Sequence, residues 1–234
     1  MTTSPEVVRA ELAIVTAAAL AELDDMLAGA SPDEALRAMF AAVGLVVPSY
    51  YDAAGALAVD WYEELREASS PTTSYRPAII GDPDTTWIER EVAKFRSQID
   101  TSIETGAAAL LDEARRLAEK EVARGFRDTV VGNTRQDTEA IGWSRVTRPG
   151  ACKFCLMLAD KGAVYRSEST AIFAAHGDCH CAARPEFRNG EHGPEANAVQ
   201  YAASSRRARD ERVQAARNAK VREYLNANYP DARG

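Results

Sequence analysis

Two segments are the most informative part of this sequence: Arg148-Pro149-Gly150-Ala151-Cys152-Lys153-Phe154-Cys155 and, further along the chain, His176-Gly177-Asp178-Cys179-His180-Cys181. These two segments contain all four cysteines of the protein. A tetrahedral zinc site takes two ligands from each of two turns, and two short cysteine clusters at this separation can supply them. The sequence therefore predicts a small zinc-stabilised α+β module over residues 141–190.

The spacing also orders the candidate ligands. Cys152 and Cys155 are the best supported ligands, because both cysteines of a C-x2-C turn can point at one metal ion. Cys179 is the third predicted ligand. The fourth is open between Cys181, which shares a face with Cys179 in an extended segment, and His176, three residues before Cys179. The alternatives to zinc are buried reduced thiols, or disulfides formed later in an oxidising compartment.

The same segment carries a longer pattern, in which an asparagine and a tryptophan precede C-x2-C, and a glycine-led apolar strand leads to H-x2-C-x-C and a proline. The positions in this pattern are Arg127, Asn133, Trp143, Cys152, Cys155, Gly162, Val164, His176, Cys179, Cys181 and Pro185. The pattern resembles the MuF-like minor head proteins of tailed bacteriophages, of the type also labelled capsid maturation protease. The resemblance covers residues 124–187, with Gly177-Asp178 where the family usually has Pro-Asn.

This resemblance implies a structural role in head morphogenesis and in DNA packaging or ejection. The implied partners are the phage portal protein and other head proteins. The implied location is the virion, on the interior side of the capsid, after assembly in the host cytoplasm.

Composition limits the other classes of function. The chain has 234 residues, of which 46% are hydrophobic and 27% charged, as in ordinary globular proteins. We expect no membrane partner, because no run approaches eighteen apolar residues, and no secretory signal. The net charge of −7 argues against a protein that coats nucleic acid over its whole surface.

Apolar periodicity predicts a mainly helical α+β protein whose residues 1–68 form a helical bundle. Ser4-Pro5-Glu6 and Ser31-Pro32-Asp33 are typical helix starts, with a capping residue before proline. We expect the second helix to end at Gly44 and Pro48, and a third to begin at Tyr50 with Trp61 in the core.

The middle of the chain is predicted as a linker followed by a long helix. Residues 69–84 are rich in proline and hydroxyl side chains and are interpreted as a solvated linker, the alternative being a partner-binding arm. Residues 85–140 form the long helical region, with a kink or break near Gly106 and a looser chain after Gly125 and Gly132.

Inside the module we expect strands at residues 143–147, 163–165 and 181–185 and a helix at residues 169–175. Residues 191–234 are predicted as a C-terminal helix and tail, with a basic stretch that includes Arg206 and Arg209. A solvated helix is the default interpretation of this region. The alternative interpretation is an arm that docks on an acidic partner or on packaged DNA.

Catalysis is the main alternative to a structural role. A cysteine protease would use Cys152 or Cys155 as nucleophile, and the candidate bases are His176, His180 and His192. A zinc hydrolase is less favoured, since it needs an open coordination position and a nearby base such as Glu168 or Asp178. Four clustered cysteines exceed what a single nucleophile requires, so we predict structural zinc and no catalytic residue.

Overall fold

The structure is a computed structural model that describes residues 4–28, 32–97, 104–147, 150–160, 181–190 and 210–232. Within these ranges the protein is mainly helical with one two-stranded sheet, which confirms the predicted class. The elements are α1 (Pro5–Leu27), α2 (Pro32–Ala68), α3 (Thr85–Arg96), α4 (Glu104–Gln136), β1 (Ala140–Val146), α5 (Lys153–Ala159), β2 (Ala182–Phe187) and α6 (Glu211–Asn228).

The first helix begins where the sequence predicts. Ser4 caps α1, its hydroxyl accepting a hydrogen bond from the Val7 backbone N–H at 3.4 Å, and Pro5 occupies the first turn. Val8, Leu12, Ala19 and Leu23 of the predicted apolar stripe form the buried face of the helix, whereas Met26, which was expected on the same stripe, is 43% exposed. Capping and periodicity together therefore fix both the start and the orientation of α1.

The predicted break at Gly44 and Pro48 is wrong, because α2 runs without interruption through both residues. A proline inside a helix removes one backbone hydrogen bond and costs about 3 kcal/mol. Val46, Val47 and Tyr51 flank Pro48 and are buried at 0–1% exposure, so tertiary packing holds the helix across the unfavourable residue.

Part of α2, Arg37–Ala68, is long and apolar enough to cross a membrane by length and composition alone. The core helix of a globular protein passes the same test. Here Val47, Tyr51 and Ala58 are completely buried against the other helices, and α2 packs most extensively on α4. The apolar residues of α2 therefore pack in the core of the fold. The absence of a membrane partner stays a prediction.

Helix α4 is the central element and packs on α1, α2, α3 and both strands. The predicted loosening after Gly125 and Gly132 is wrong, since α4 continues through both glycines to Gln136. A Cβ atom at Gly125 would lie 2.4 Å from the Tyr51 carbonyl oxygen, and one at Gly132 would lie 2.7 Å from Ile80 Cγ2. These glycines allow neighbouring chain segments to approach α4 closely; they do not end it.

Residues 69–84, here called the strap, contain neither helix nor strand and are mostly exposed, as predicted, but hydrogen bonds hold them on α4. The fully buried Asn133 holds them. Its Oδ1 accepts hydrogen bonds from the Ala78 N–H at 3.0 Å and the Tyr75 hydroxyl at 2.8 Å, and its Nδ2 donates to the Ala78 carbonyl at 2.8 Å. A side-chain amide can satisfy backbone groups in this way where no secondary structure does so.

A buried ion pair joins the end of α2 to the end of α4. Arg66 Nε donates to Asp137 Oδ2 at 2.7 Å, and the two side chains are only 8% and 0% exposed. The Tyr62 hydroxyl donates to the same carboxylate oxygen at 3.3 Å; burial, and then the negative charge of Asp137, raise the pKa of Tyr62. Arg66 Nη2 also donates to the Thr73 carbonyl at 2.6 Å, which ties the strap to the pair.

The two strands pair antiparallel, with Trp143 opposite Pro185 and Ser144 opposite Arg184. Both strands were predicted, with bounds that differ from the observed Ala140–Val146 and Ala182–Phe187 by one to three residues at each end. Phe187 meets Tyr62 of α2 edge-on, with ring centroids 5.3 Å apart. One face of the sheet is therefore part of the helical core. The predicted strand at 163–165 and helix at 169–175 lie outside the described residues.

Candidate metal centre

Three of the five predicted zinc ligands lie in the described part of the chain. Cys152 immediately precedes α5, Cys155 lies in the first turn of that helix, and Cys181 immediately precedes β2. The C-x2-C pair is therefore at the start of a helix rather than in the expected open turn. Residues three apart on a helix share one face, so the helix keeps both thiols on the same side.

These three cysteines are brought together by the fold. They belong to one small apolar cluster with Ala151 and Leu156, in which Cys155 and Cys181 are each 3% exposed and Cys152 is half-buried. None of the three forms a disulfide. The pairing of β1 with β2 returns the chain to the start of α5, so residues distant in sequence share this cluster.

The remaining predicted ligands, His176 and Cys179, lie outside the described residues, as do His180, His192, Glu168 and Asp178. Within the part of the chain that the structure describes, no three His, Cys, Asp or Glu side chains are arranged to hold a metal ion. The described cysteines can thus supply only part of a site, and a donor from residues 161–180 would have to complete it.

The chemistry of the donors fits zinc. Thiolates are soft ligands that select zinc or iron–sulfur centres over calcium or magnesium, and a buried thiol cluster excludes competing water. Asp160, the nearest described carboxylate in sequence, accepts a hydrogen bond from the Tyr229 hydroxyl. Its position at the far end of α5 separates it from Cys152.

Helix α6 is hydrogen-bonded to both ends of α5, the helix that contains Cys155. Lys153 Nζ donates to Asn226 Oδ1 at 2.7 Å at one end of α5, and Tyr229 bonds to Asp160 at the other. Burial, followed by the hydrogen bond to Asp160, raises the pKa of Tyr229, so this phenol stays protonated and remains a donor. Helix α5 is therefore held between the sheet and α6.

A polar cluster that was not predicted from the sequence lies on the face of the sheet opposite Trp143. The Ser144 hydroxyl donates to Glu186, and Arg184 Nη1 lies 3.7 Å from Glu186 Oε1. All three residues are at most 8% exposed. The signal was present as the period-2 placement of Arg184 and Glu186 around Pro185, which puts both on one side of a strand. A carboxylate with two such partners acts as a cross-strand link.

Comparison with protein-family models places the chain among phage-associated viral gene proteins. It belongs to the VG15 protein family, whose model matches residues 3–208. The match includes every element from α1 to β2 and ends before α6. No curated protein and no solved structure matches the chain.

Proposed function

We propose that this VG15 protein is a structural minor head protein of the MuF-like type, which binds the portal and other head proteins on the capsid interior. The observation that carries the proposal is the use of the motif residues in packing. Asn133 and Trp143 are 0% and 2% exposed, and Cys155 and Cys181 are buried in an apolar cluster. Side chains used in this way build a scaffold, and the phage-associated family supports a role in the particle.

Structural zinc is part of the same proposal. Cys152, Cys155 and Cys179 would supply thiolates, and Cys181 or His176 would be the fourth ligand. Zinc bound in this way contributes its binding free energy to folding, because the unfolded chain has no preformed site. This matters for a two-stranded sheet with a seven-residue helix, which buries little apolar surface of its own.

Removal of the first ligand pair tests the metal. The protein purified without chelator is expected to carry about one zinc per chain, and Cys152→Ser with Cys155→Ser is expected to reduce this to nearly none. Elemental analysis by mass spectrometry measures the content. Ser49→Ala, on an exposed part of α2, is the control that should keep its zinc. A well-folded, metal-free wild-type protein would contradict the proposal.

The second candidate function is capsid maturation by a cysteine nucleophile. It is favoured by the partial exposure of Cys152, whereas Cys155 and Cys181 are shielded from substrate. An attacking thiolate must reach both a substrate carbonyl and a base. Burial of two of the three described thiols supports the structural alternative.

Co-expression with the capsid and scaffold proteins separates these functions. For a structural protein we expect no cleavage of either protein, and a few copies per virion that resist external protease until the capsid is opened. Gel electrophoresis and mass spectrometry of purified particles measure both results. Cleavage abolished by Cys152→Ala in a folded protein would establish the protease instead. Absence from virions despite expression in infected cells would refute a structural location.

A further inference from the structure

A groove of about 550 Å³ separates α1 from the C-terminal half of α2, and none of the described cysteines lines it. Its floor is apolar. Its rim is acidic, and none of the described residues that line it is cationic. The residues that line the groove are Val8, Glu11, Leu57, Asp60, Trp61, Glu63, Glu64 and Glu67. Leu57, Asp60, Glu64 and Glu67 recur at steps of three and four, so they form one stripe along α2. An apolar floor with an acidic rim fits a basic amphipathic helix.

Helix α6 has the complementary chemistry. Its sequence contains four Lys or Arg and two Glu, and Arg212, Lys220 and Arg222 are exposed. No described side chain of α6 is buried, and Val213 is 45% exposed. Hydrogen bonds from Lys153 and Tyr229 hold α6 on α5 of its own chain, which leaves its basic side chains available to another molecule.

We propose that α6 of one copy of this protein docks in the α1–α2 groove of a second copy. The distance along a helix supports the fit: Asp60 to Glu67 spans about 10 Å and Arg212 to Arg222 about 15 Å at 1.5 Å per residue. The chain as a whole carries a charge of −7, so two copies repel each other except where this basic helix meets this acidic groove. Charge complementarity then selects the orientation of the contact.

The geometry of such a contact is head-to-tail. The groove and α6 are different surfaces of the same molecule, so after a single contact forms one copy still has an unused groove and the other an unused α6. Contacts of this kind either close, as a reciprocal pair or a larger ring, or continue into open filaments. Because α6 lies beyond the residues that the family model matches, the inference concerns this chain and does not extend to the family.

Charge reversal in the full-length protein tests the contact by sedimentation velocity at low and high salt. We expect the wild type to self-associate, with weaker association at high salt. Glu63→Lys with Glu67→Lys in the groove, or Lys220→Glu with Arg222→Glu on α6, is expected to raise the Kd about tenfold or more. A mixture of the two variants should associate again, because each retains the partner surface that the other needs.

Asp25→Lys with Asp52→Lys is the matched control, since both residues are exposed and neither lines the groove. It changes the net charge by the same amount as the groove variant. The change in Kd relative to wild type should therefore be compared between the two variants at the same salt concentration. Wild-type protein that stays monomeric, or groove and control variants with the same Kd, would overturn the proposal. DNA would be the partner of α6 instead if a gel shift showed DNA binding that depends on α6 while charge reversal in the groove left self-association unchanged. That result would also overturn the proposal.

Discussion

Asp137→Leu is expected to lower the free energy of unfolding by about 3–5 kcal/mol. The substitution removes the carboxylate that accepts from Arg66 and Tyr62, and it leaves the guanidinium charge of Arg66 buried. The Thr73 carbonyl still accepts from Arg66, but it carries no compensating charge. Three parts of the fold, the ends of α2 and α4 and the strap, meet at this pair. Chemical denaturation followed by circular dichroism measures the loss.

Two further variants show whether the buried charge causes this loss. Arg66→Met added to Asp137→Leu should recover part of the stability, because an apolar pair can replace a buried ion pair at little cost. Glu91→Ala removes the partner of Lys94, whose side chain is 67% exposed, and should change stability by less than about 1 kcal/mol. An Asp137→Leu protein as stable as Glu91→Ala would show that the buried pair contributes nothing.

Gly125→Ala is expected to destabilise the protein by about 1–3 kcal/mol, although alanine is the better helix former. The new Cβ would lie 2.4 Å from the Tyr51 carbonyl oxygen and 2.9 Å from Tyr51 Cγ, so α2 and α4 would have to separate. These two helices form the largest interface of the fold. A backbone oxygen cannot move aside as a flexible side chain can. The midpoint of thermal unfolding reports the change.

Gly44→Ala provides the matched control, because it is the same substitution in a helix at a position with no atom within 4 Å of the new Cβ. It should stabilise the protein by about 0.5–1 kcal/mol through the higher helix propensity of alanine. Opposite signs for the two substitutions are the expected result. Equal effects would mean that close packing at Gly125 does not govern the approach of α2 to α4.

The helices could be predicted from sequence where local chemistry decides them. Ser4 and Pro5 mark the start of α1, and the apolar stripe identifies its buried face. Local rules failed where distant residues decide. Pro48 stays helical because its neighbours are buried, and Gly125 lies within α4 because Tyr51 packs against it. The propensity of a residue is worth about 1–3 kcal/mol, which tertiary packing can exceed.

The candidate site could be predicted in part for the same reason. Spacing alone linked Cys152 with Cys155, and the structure adds Cys181 to their cluster. The buried pair Ser144 and Glu186 of the sheet was not predicted, because a serine and a glutamate in short strands resemble solvent-facing residues. Their contact joins positions 42 residues apart, and no local pattern reports such a separation.

The pairing of β1 with β2 also sets the order of events on the ribosome. All of α1–α4 and β1 are synthesised before β2, and helices form faster than contacts between distant segments. Until Phe187 emerges, the nascent chain lacks the strand that packs beside Trp143, and this part of the core stays open. Translation that stops between β1 and β2 therefore produces an aggregation-prone chain rather than a shorter folded protein.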